Sequence, residues 1–326
     1  MELSFDLNVS KSAQLSTVST NPFFITGPTA SGKSGIAVAL AEATGGEIVN
    51  ADAFQLYAGM DLLTAKPPPA LLARAPHHLF GVLDAAESCD AQRYRTLARA
   101  AIREIEQRGR LAIVVGGSGL YIKALSHGLA ELPRGSEELR ARLARMALED
   151  KVLWLLREDP EAHENVPLRN PRYVDRALEI CLLTGQPQSK LRRTFSEAPP
   201  SGRGVVLEWP REILYERIEK RVDEMLAAGL LEEVSGLPEM NGTAAAAIGL
   251  REMRAHLAGG LTLAEAADAM RQATRRYAKR QITWFKRERW LQTVCLGPGA
   301  TTESALAQIV THFPCLNPQP DQPPPQ

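Results

Sequence analysis

The segment Gly27–Ser34 has the pattern Gly-x4-Gly-Lys-Ser, which is typical of loops that bind phosphate groups. Backbone N–H groups in such a loop converge on phosphate oxygens at the start of a helix, whose dipole favours anions. Lys33 would contact the terminal phosphates, and the hydroxyl of Ser34 would hold a Mg²⁺ ion. The pattern predicts a phosphate or diphosphate site formed by Gly27, Pro28, Thr29, Ala30, Ser31, Gly32, Lys33 and Ser34.

Two further loops carry groups that could take part in a reaction near this phosphate. Asp52 follows the apolar segment 47–49, and its carboxylate could be a Mg²⁺ ligand, a general base or a solvated acid at the end of a strand. The segment 116–119, Gly-Gly-Ser-Gly, follows another apolar run. There Ser118 could bond a substrate, or the segment could be a plain tight turn.

Histidines and cysteines give weaker signals. His77 and His78 are adjacent, so their side chains point in different directions, and packing or capping is favoured over metal binding. The four cysteines match no zinc or redox spacing, and we expect free, mostly buried thiols. They are Cys89, Cys181, Cys295 and Cys315.

Residues 271–289 form a basic segment in which Glu288 is the lone acid. Its basic residues are Arg271, Arg275, Arg276, Lys279, Arg280, Lys286, Arg287 and Arg289. On a helix, Arg276, Lys279 and Arg280 would share one face, with aromatic residues between them. Such a face is either solvated or in contact with a polyanion such as RNA.

The elements that must position these groups follow from apolar patterning. Segments 22–26, 47–49 and 111–115 indicate strands, and segments 33–43 and 91–108 indicate helices. Strands that alternate with helices, and that end in loops of small or polar residues, predict a parallel α/β sheet. The site of such a sheet lies at the carboxyl ends of its strands.

The rest of the chain predicts an interrupted core of the phosphate-loop type. A proline-broken helical stretch is followed by a strand over 204–208 that returns to the sheet, and then by helices that include one from Thr262 to about Arg289. We expect a disordered leader (1–20), a first core part (21–125), a helical insertion (126–199), a second core part (200–312) and a proline-rich tail that does not pack (313–326).

Composition excludes several classes of protein. The 326 residues are 44% hydrophobic and 23% charged, as in an ordinary globular protein. The chain has 38 basic and 38 acidic residues, which argues against a uniformly basic nucleic-acid binder but not against local patches. There is no apolar run of membrane-spanning length and no signal-like start, so we expect a cytoplasmic protein without membrane contact.

Motifs over residues 22–290 occur in an order that resembles one known family. They are GPTASGKS at 27–34, DAFQLY at 52–57, GMD at 59–61 with TAKP at 64–67, PHHL at 76–79, GGSGLY at 116–121, RALE at 176–179 with TG at 184–185, Arg221 with ML at 225–226 and GL at 229–230, and AKRQITWF at 278–285. They are similar to segments of the tRNA dimethylallyltransferases of bacterial type, also called isopentenyl-tRNA transferases.

This resemblance implies transfer of a dimethylallyl group from dimethylallyl diphosphate to N6 of the adenosine 3′ of the tRNA anticodon (position 37), with release of diphosphate. It implies Mg²⁺ as cofactor, the phosphate loop as the diphosphate site, and Asp52, Ser118 and Arg221 as catalytic residues. The implied tRNA contacts are Asp52, Ala53, Phe54, Gln55, Ser118, Arg140, Arg172, Tyr173, Arg176, Gly249 and Arg251, with Arg276, Lys279 and Arg280 of the basic segment.

The sequence departs from the family pattern at positions near the implied contacts. Ala53 replaces a serine, Ser118 replaces a threonine, and the segments 172–176 and 246–251 keep only part of their motifs, ending in Arg176 and Arg251.

Three rival functions remain at this stage. The same loop would serve a small-molecule or nucleotide kinase, and a prenyltransferase could act on free adenine nucleotides. The basic segment argues against both. A non-catalytic RNA-binding module is the third, and Lys33, Ser34 and Asp52 argue against it. We expect a monomer that binds the tRNA anticodon loop and dimethylallyl diphosphate.

Overall fold

The computed structural model describes residues 21–129, 132–133, 135–191, 200, 202–240 and 242–316. The expected leader, part of the expected insertion (192–199) and most of the expected tail (317–326) lie outside the described residues.

Six strands form one sheet in the order β3-β2-β4-β1-β5-β6. They are β1 (Phe23–Thr26), β2 (Glu47–Asn50), β3 (His77–His78), β4 (Ala112–Gly116), β5 (Arg203–Glu208) and β6 (Gln292–Cys295). All of the pairings between them are parallel. The loops that follow β1, β2 and β4 therefore meet at one edge of the sheet, and the prediction of a parallel α/β core is confirmed.

Helices lie between the strands. Before β5 they are α1 (Lys33–Thr44), α2 (Pro69–Leu72), α3 (Ala91–Gln107), α4 (Gly119–Ser126), α5 (Glu137–Ala144), α6 (Leu148–Glu158), α7 (Ala162–Asn165) and α8 (Pro171–Thr184). After β5 they are α9 (Arg211–Ala227), α10 (Leu230–Gly236), α11 (Leu250–Leu257), α12 (Leu263–Phe285) and α13 (Thr302–His312). Short 3₁₀ turns occupy Ala244–Ala246 and Pro314–Leu316.

The sheet is buried on both faces because alternate side chains of each strand point to opposite sides. Phe23 and Ile25 of β1 pack in one cluster with residues of α1 and α13. Phe24 packs in the opposite cluster, which includes residues of α3 and α4. Helices α5 to α8 have a separate cluster of their own, which includes Leu155 and Leu178.

The carboxyl-terminal part differs from the sequence-based expectation. The basic helix starts with a capping box formed by Thr262 and Glu265, but it ends at Phe285 rather than near Arg289. Residues beyond it turn back to the sheet and add β6, a strand that the sequence did not predict. Both Phe285 and Val294 are buried, and this burial stabilises the return of the chain.

Two smaller predictions are also wrong. Residues 313–316 pack, because the ring of Phe313 lies 5.0 Å from that of Phe23 and Leu316 is buried. The four cysteines are free, as expected, but only Cys89 and Cys181 are buried. Cys295 and Cys315 are exposed. Cys295 lies on β6, an edge strand on which Val294 is buried and the other three residues are exposed.

Candidate active site

The phosphate loop connects β1 to α1 with a strained backbone. Ala30 has a φ of 63° and Gly32 has a φ of 87°. Both values lie in the left-handed region, which residues other than glycine rarely adopt. Gly32 is the N-cap residue of α1, so the first N–H groups of this helix open into the cavity above the loop. The loop has the local form that an anion site requires.

Lys33 and Ser34 line this cavity, which has a volume of about 580 Å³. Lys33 Nζ donates to the carbonyl oxygen of Pro28 at 2.6 Å. Burial is the main cause that lowers the pKa of Lys33 to about 7; the charge of Asp52 opposes the decrease and that of Arg221 adds to it. A bound diphosphate would restore the charged form, because opposite charge favours the ammonium group.

Asp52 lies at the end of β2, where its backbone and side chain are both fixed. Its N–H donates to Asn50 Oδ1 at 2.8 Å, and its Oδ1 accepts from the Phe54 N–H at 3.0 Å. Burial raises the pKa of Asp52, while the hydrogen bond from Phe54 and the charges of Lys33 and Arg221 hold it down. The carboxylate is therefore a group whose proton affinity is tuned by its surroundings.

Helix α9 brings two arginines to the phosphate loop. Arg221 Nη1 donates to Thr29 Oγ1 at 2.9 Å, and Arg217 Nε donates to the Ala30 carbonyl oxygen at 2.7 Å. Arg217 also stacks on Trp209 at 4.5 Å. Sequence reasoning missed Arg217, although its spacing of four residues from Arg221 puts both on one helix face and was the available signal.

A second, smaller cavity of about 60 Å³ adjoins the first. Its wall is mostly apolar and aromatic, and it includes Phe54, Ile248, Met270 and Tyr277. Phe54 and Tyr277 have ring centres 6.3 Å apart at an angle of 54°. Residues that line both cavities are Thr29, Asp52, Thr64, Ala65, Arg221 and Met225. Asp52 and Arg221 therefore lie where a phosphate site meets an apolar one.

Ser118 and Gln55 hold the loop around Asp52. Ser118 Oγ accepts a hydrogen bond from the Ala53 N–H at 2.9 Å. Gln55 Nε2 donates to the carbonyl oxygens of Thr64 and Ala65, each at 3.0 Å. Rather than a plain turn, the segment after β4 starts α4, with Ser118 as its N-cap residue.

The basic face of α12 consists of Arg276, Lys279 and Arg280, which are all exposed. Arg280 lies over the ring of Tyr277, 5.5 Å from its centre. Although Glu288 is the lone acid within residues 271–289, acids elsewhere in the chain pair with this helix: Arg271 pairs with Asp223, and Arg275 pairs with Glu219 at 2.7 Å.

Both of these acids belong to α9, which packs against α12. The sequence could not show partners that lie about fifty residues away. The face formed by Arg276, Lys279 and Arg280 therefore remains open to a polyanion, and the exposed residues Lys286, Arg287 and Arg289 follow it in the basic segment.

The arginines of the expected insertion lie near one buried carboxylate. Glu179 is 2% exposed and accepts from Arg140 Nε at 3.0 Å and from Arg176 Nη1 at 2.6 Å. Arg172 and Tyr173 lie exposed at the start of α8. The ion pairs with Glu179 hold the guanidinium groups of Arg140 and Arg176 in place and leave more than a third of each arginine side chain exposed.

Gly249 and Arg251 lie at the start of α11. Gly249 has a φ of 95°, and a Cβ there would lie 2.7 Å from Met270 Sδ, so the glycine is required by the backbone and by packing. Arg251 is 85% exposed and pairs with Glu252 at 2.9 Å.

His77 and His78 are engaged within the protein, in line with the packing interpretation. His77 Nδ1 lies 2.7 Å from the Ala75 carbonyl oxygen, and His78 Nε2 lies 2.7 Å from Glu47 Oε2. Among the described residues there is no cluster of three or more His, Cys, Asp or Glu side chains suited to a metal. Within the same residues, no helix combines the length and apolar character needed to cross a membrane.

Comparison with known proteins gives one family. The profile of the IPP transferases matches residues 55–288. The tRNA dimethylallyltransferase of Phenylobacterium zucineum is 46% identical over 272 residues, which cover 81% of this chain and 89% of that protein.

Solved structures indicate the same family. The full-length tRNA isopentenylpyrophosphate transferase of Bacillus halodurans has a TM-score of 0.67 and 32% identity, covering 91% of this chain and 97% of that one. A eukaryotic dimethylallyltransferase acting on tRNA has a TM-score of 0.76 and 25% identity, covering 89% and 77%. Since both the profile and the relatives span most of the chain, this protein is a prenyltransferase that belongs to the IPP transferase family, the tRNA dimethylallyltransferases.

Proposed function

We propose that this protein transfers a dimethylallyl group from dimethylallyl diphosphate to N6 of the adenosine 3′ of the tRNA anticodon, position 37, and releases diphosphate. The observation that carries the proposal is the junction of the two cavities. A phosphate-loop cavity and an apolar, aromatic cavity share Thr29, Asp52 and Arg221. A substrate with a charged diphosphate and a five-carbon apolar chain matches this pair of cavities, with the diphosphate in the first and the chain in the second.

The donor diphosphate would lie on the phosphate loop. Lys33, Arg217 and Arg221 would neutralise the charge that grows as the allylic C–O bond breaks. Mg²⁺ fits this site, since the Ser34 hydroxyl opens into the same cavity and Mg²⁺ is commonly held by few protein oxygens together with substrate phosphates. When bound, the ion would supply further positive charge at the leaving group.

Asp52 is the residue that would accept the proton. The exocyclic amine of adenine is a weak nucleophile because its lone pair is delocalised into the ring. As N6 attacks the allylic carbon, a C–N bond forms, the C–O bond breaks, and the bonding pair leaves with the diphosphate. The proton lost from N6 passes to Asp52, whose pKa is raised by burial and therefore lies closer to that of an effective base.

The acceptor must be brought to Asp52 from outside the protein. A base within a stacked anticodon loop has to leave its stack to reach a site of this kind. The exposed face of Arg276, Lys279 and Arg280 would contact backbone phosphates. Arg140, Arg172, Tyr173, Arg176 and Arg251 would add contacts from the insertion and from α11. All of these residues belong to one chain, so the proposal requires only a monomer.

The rival functions receive less support. A kinase would share the phosphate loop, but the family match and the apolar wall of the second cavity favour a prenyl donor. A prenyltransferase for free nucleotides would not need the basic face of α12. For a non-catalytic RNA-binding module, a carboxylate buried between Lys33 and Arg221 would have no use.

One experiment tests the proposal against its rivals. The protein is incubated with Mg²⁺, dimethylallyl diphosphate and unmodified tRNA, and the nucleosides of the tRNA are analysed for N6-dimethylallyladenosine at position 37. Replacing the diphosphate with ATP tests the kinase function, and replacing tRNA with AMP tests the free-nucleotide function. Absence of the modified nucleoside, together with product in either of the other reactions, would overturn the proposal.

A further inference from the structure

Gln281 is a buried polar residue that joins three parts of the site. Its side chain is 4% exposed. Oε1 accepts from the Thr29 N–H of the phosphate loop at 2.8 Å, and Nε2 donates to the Gly117 carbonyl oxygen at 3.0 Å. One amide on α12 thus bridges the loop after β1 and the loop after β4.

Both loops carry atoms on which the proposed reaction depends. Thr29 lines the phosphate cavity and the apolar cavity, and its hydroxyl accepts from Arg221 at 2.9 Å. Gly117 is followed by Ser118, whose Oγ holds the Ala53 N–H beside Asp52. Gln281 is therefore bonded directly to a residue of the diphosphate site, and it is connected through Gly117, Ser118 and Ala53 to the proposed base.

The surrounding sequence is adapted to the close approach of α12. A Cβ on Gly117 would lie 2.1 Å from Gln281 Nε2, and a Cβ on Gly119 would lie 2.4 Å from Trp284 Cδ1. Two glycines of this loop thus leave space for two side chains of one helix. A buried amide whose oxygen and nitrogen are both bonded fixes the distance between its partners more strictly than an apolar contact does.

Gln281 also lies on the helix that carries the exposed basic face. Tyr277, Gln281 and Trp284 follow at helical spacing and face the site, whereas Arg276, Lys279 and Arg280 lie on the exposed side. The helix that would contact tRNA is thus bonded directly to the loop that would contact diphosphate.

We propose that Gln281 is a positioning residue, which fixes the phosphate loop and the Gly117 loop against α12 and so sets the diphosphate at the correct distance from Asp52. The inference rests on the proposed function, because it assigns the diphosphate to this loop. It predicts that loss of the amide weakens donor binding and slows transfer, while the affinity for tRNA through the exposed face is unchanged.

The test compares Gln281→Met, which keeps the size of the side chain but removes both hydrogen bonds, with Gln272→Met on the same helix. Gln272 is exposed and its Oε1 accepts from Arg276 at 2.7 Å, so this variant is the control for pyrophosphate binding and not for tRNA binding. Calorimetry with inorganic pyrophosphate measures the donor site without catalysis. We expect the Kd of Gln281→Met to rise roughly tenfold, the effect of one to two net hydrogen bonds. Its Kd for tRNA should stay within about twofold of wild type, as hydrogen bonds at the other face of the helix are untouched. Gln272→Met should bind pyrophosphate like wild type.

A double-mutant cycle keeps the inference testable if Gln281→Met folds poorly. Gly117→Ala alone should weaken pyrophosphate binding, because the new Cβ would displace the Gln281 amide. In the Gln281→Ala background the clash with the amide is gone and a contact of 3.2 Å with the Gly27 carbonyl oxygen remains, so the same change should have much less effect, and the two effects should not add.

Unchanged pyrophosphate binding and transfer in Gln281→Met would overturn the inference, and so would additive effects in the cycle. An equal loss of pyrophosphate and tRNA affinity would also contradict it, because that pattern belongs to general destabilisation. If the wild-type protein forms no dimethylallyladenosine, the proposed function fails. The pyrophosphate measurements still decide the role of Gln281.

Discussion

The protonation of Lys33 should make donor binding depend on pH in a direction that the structure fixes. Burial lowers its pKa to about 7, with Arg221 adding to the decrease and Asp52 opposing it. In the free protein Lys33 is then about half protonated at pH 7 and about one-tenth protonated at pH 8. A bound diphosphate favours the ammonium form and raises this pKa well above 8. Binding should therefore take up about half a proton at pH 7 and about 0.9 at pH 8.

The same linkage gives the change in affinity. Above a pKa of about 7 the free protein must gain a proton before it can bind the anion well, so affinity falls as pH rises. Between pH 7 and pH 8 the Kd should rise by about fivefold, and the dependence should approach tenfold per unit above pH 8. Because Asp52 supports the charge of Lys33, Asp52→Asn should shift the whole curve to lower pH.

Calorimetry with inorganic pyrophosphate, in buffers of different ionisation enthalpy, measures the proton uptake directly. Lys33→Met is the matched control, because it keeps any contribution from the protonation of pyrophosphate itself and removes that of the lysine. Lys33→Met should bind more weakly at pH 7 and should show no proton uptake beyond that of the ligand. Equal uptake in Lys33→Met and wild type at pH 8, with parallel pH dependence of the Kd, would refute the reasoning.

Three other changes have defined outcomes. Asp52→Asn should slow single-turnover transfer by roughly 10² to 10⁴, the usual contribution of a positioned base, whereas recovery in excess Mg²⁺ would identify Asp52 as a metal ligand instead. Neutralising Arg276, Lys279 or Arg280 should each lower the slope of log Kd for tRNA against log salt by about one unit and leave pyrophosphate binding unchanged. A salt-independent complex would contradict phosphate contacts there. Gly249→Ala should lower the free energy of unfolding by about 2 kcal/mol, because the residue has a positive φ and Met270 lies against it. A denaturant midpoint equal to that of wild type would show that α11 adapts without strain.

Much of the core could be predicted from sequence because its signals are local. The phosphate-loop pattern, the apolar strands before it and before Asp52, and the helix after Gly32 each lie within a few consecutive residues. Parallel pairing brings the ends of β1, β2 and β4 to one edge of the sheet, so the prediction of a parallel sheet already placed the phosphate loop, Asp52 and Ser118 at that edge; the order of the strands came from the structure. The order of the motifs also gave the family.

Only the tertiary structure decided which distant side chains complete the site. Arg217 reaches Ala30 over 187 residues, and Gln281 reaches Thr29 over 252. The tertiary structure also decided that acids of α9 pair with Arg271 and Arg275, that β6 joins the sheet, and that residues 313–316 pack on the core. No local pattern records these contacts, since they depend on how α9, α12 and the chain end pack on the sheet. Periodicity specifies which face of a helix is apolar, but the partner of a polar side chain is fixed only when two elements separated along the chain come into contact.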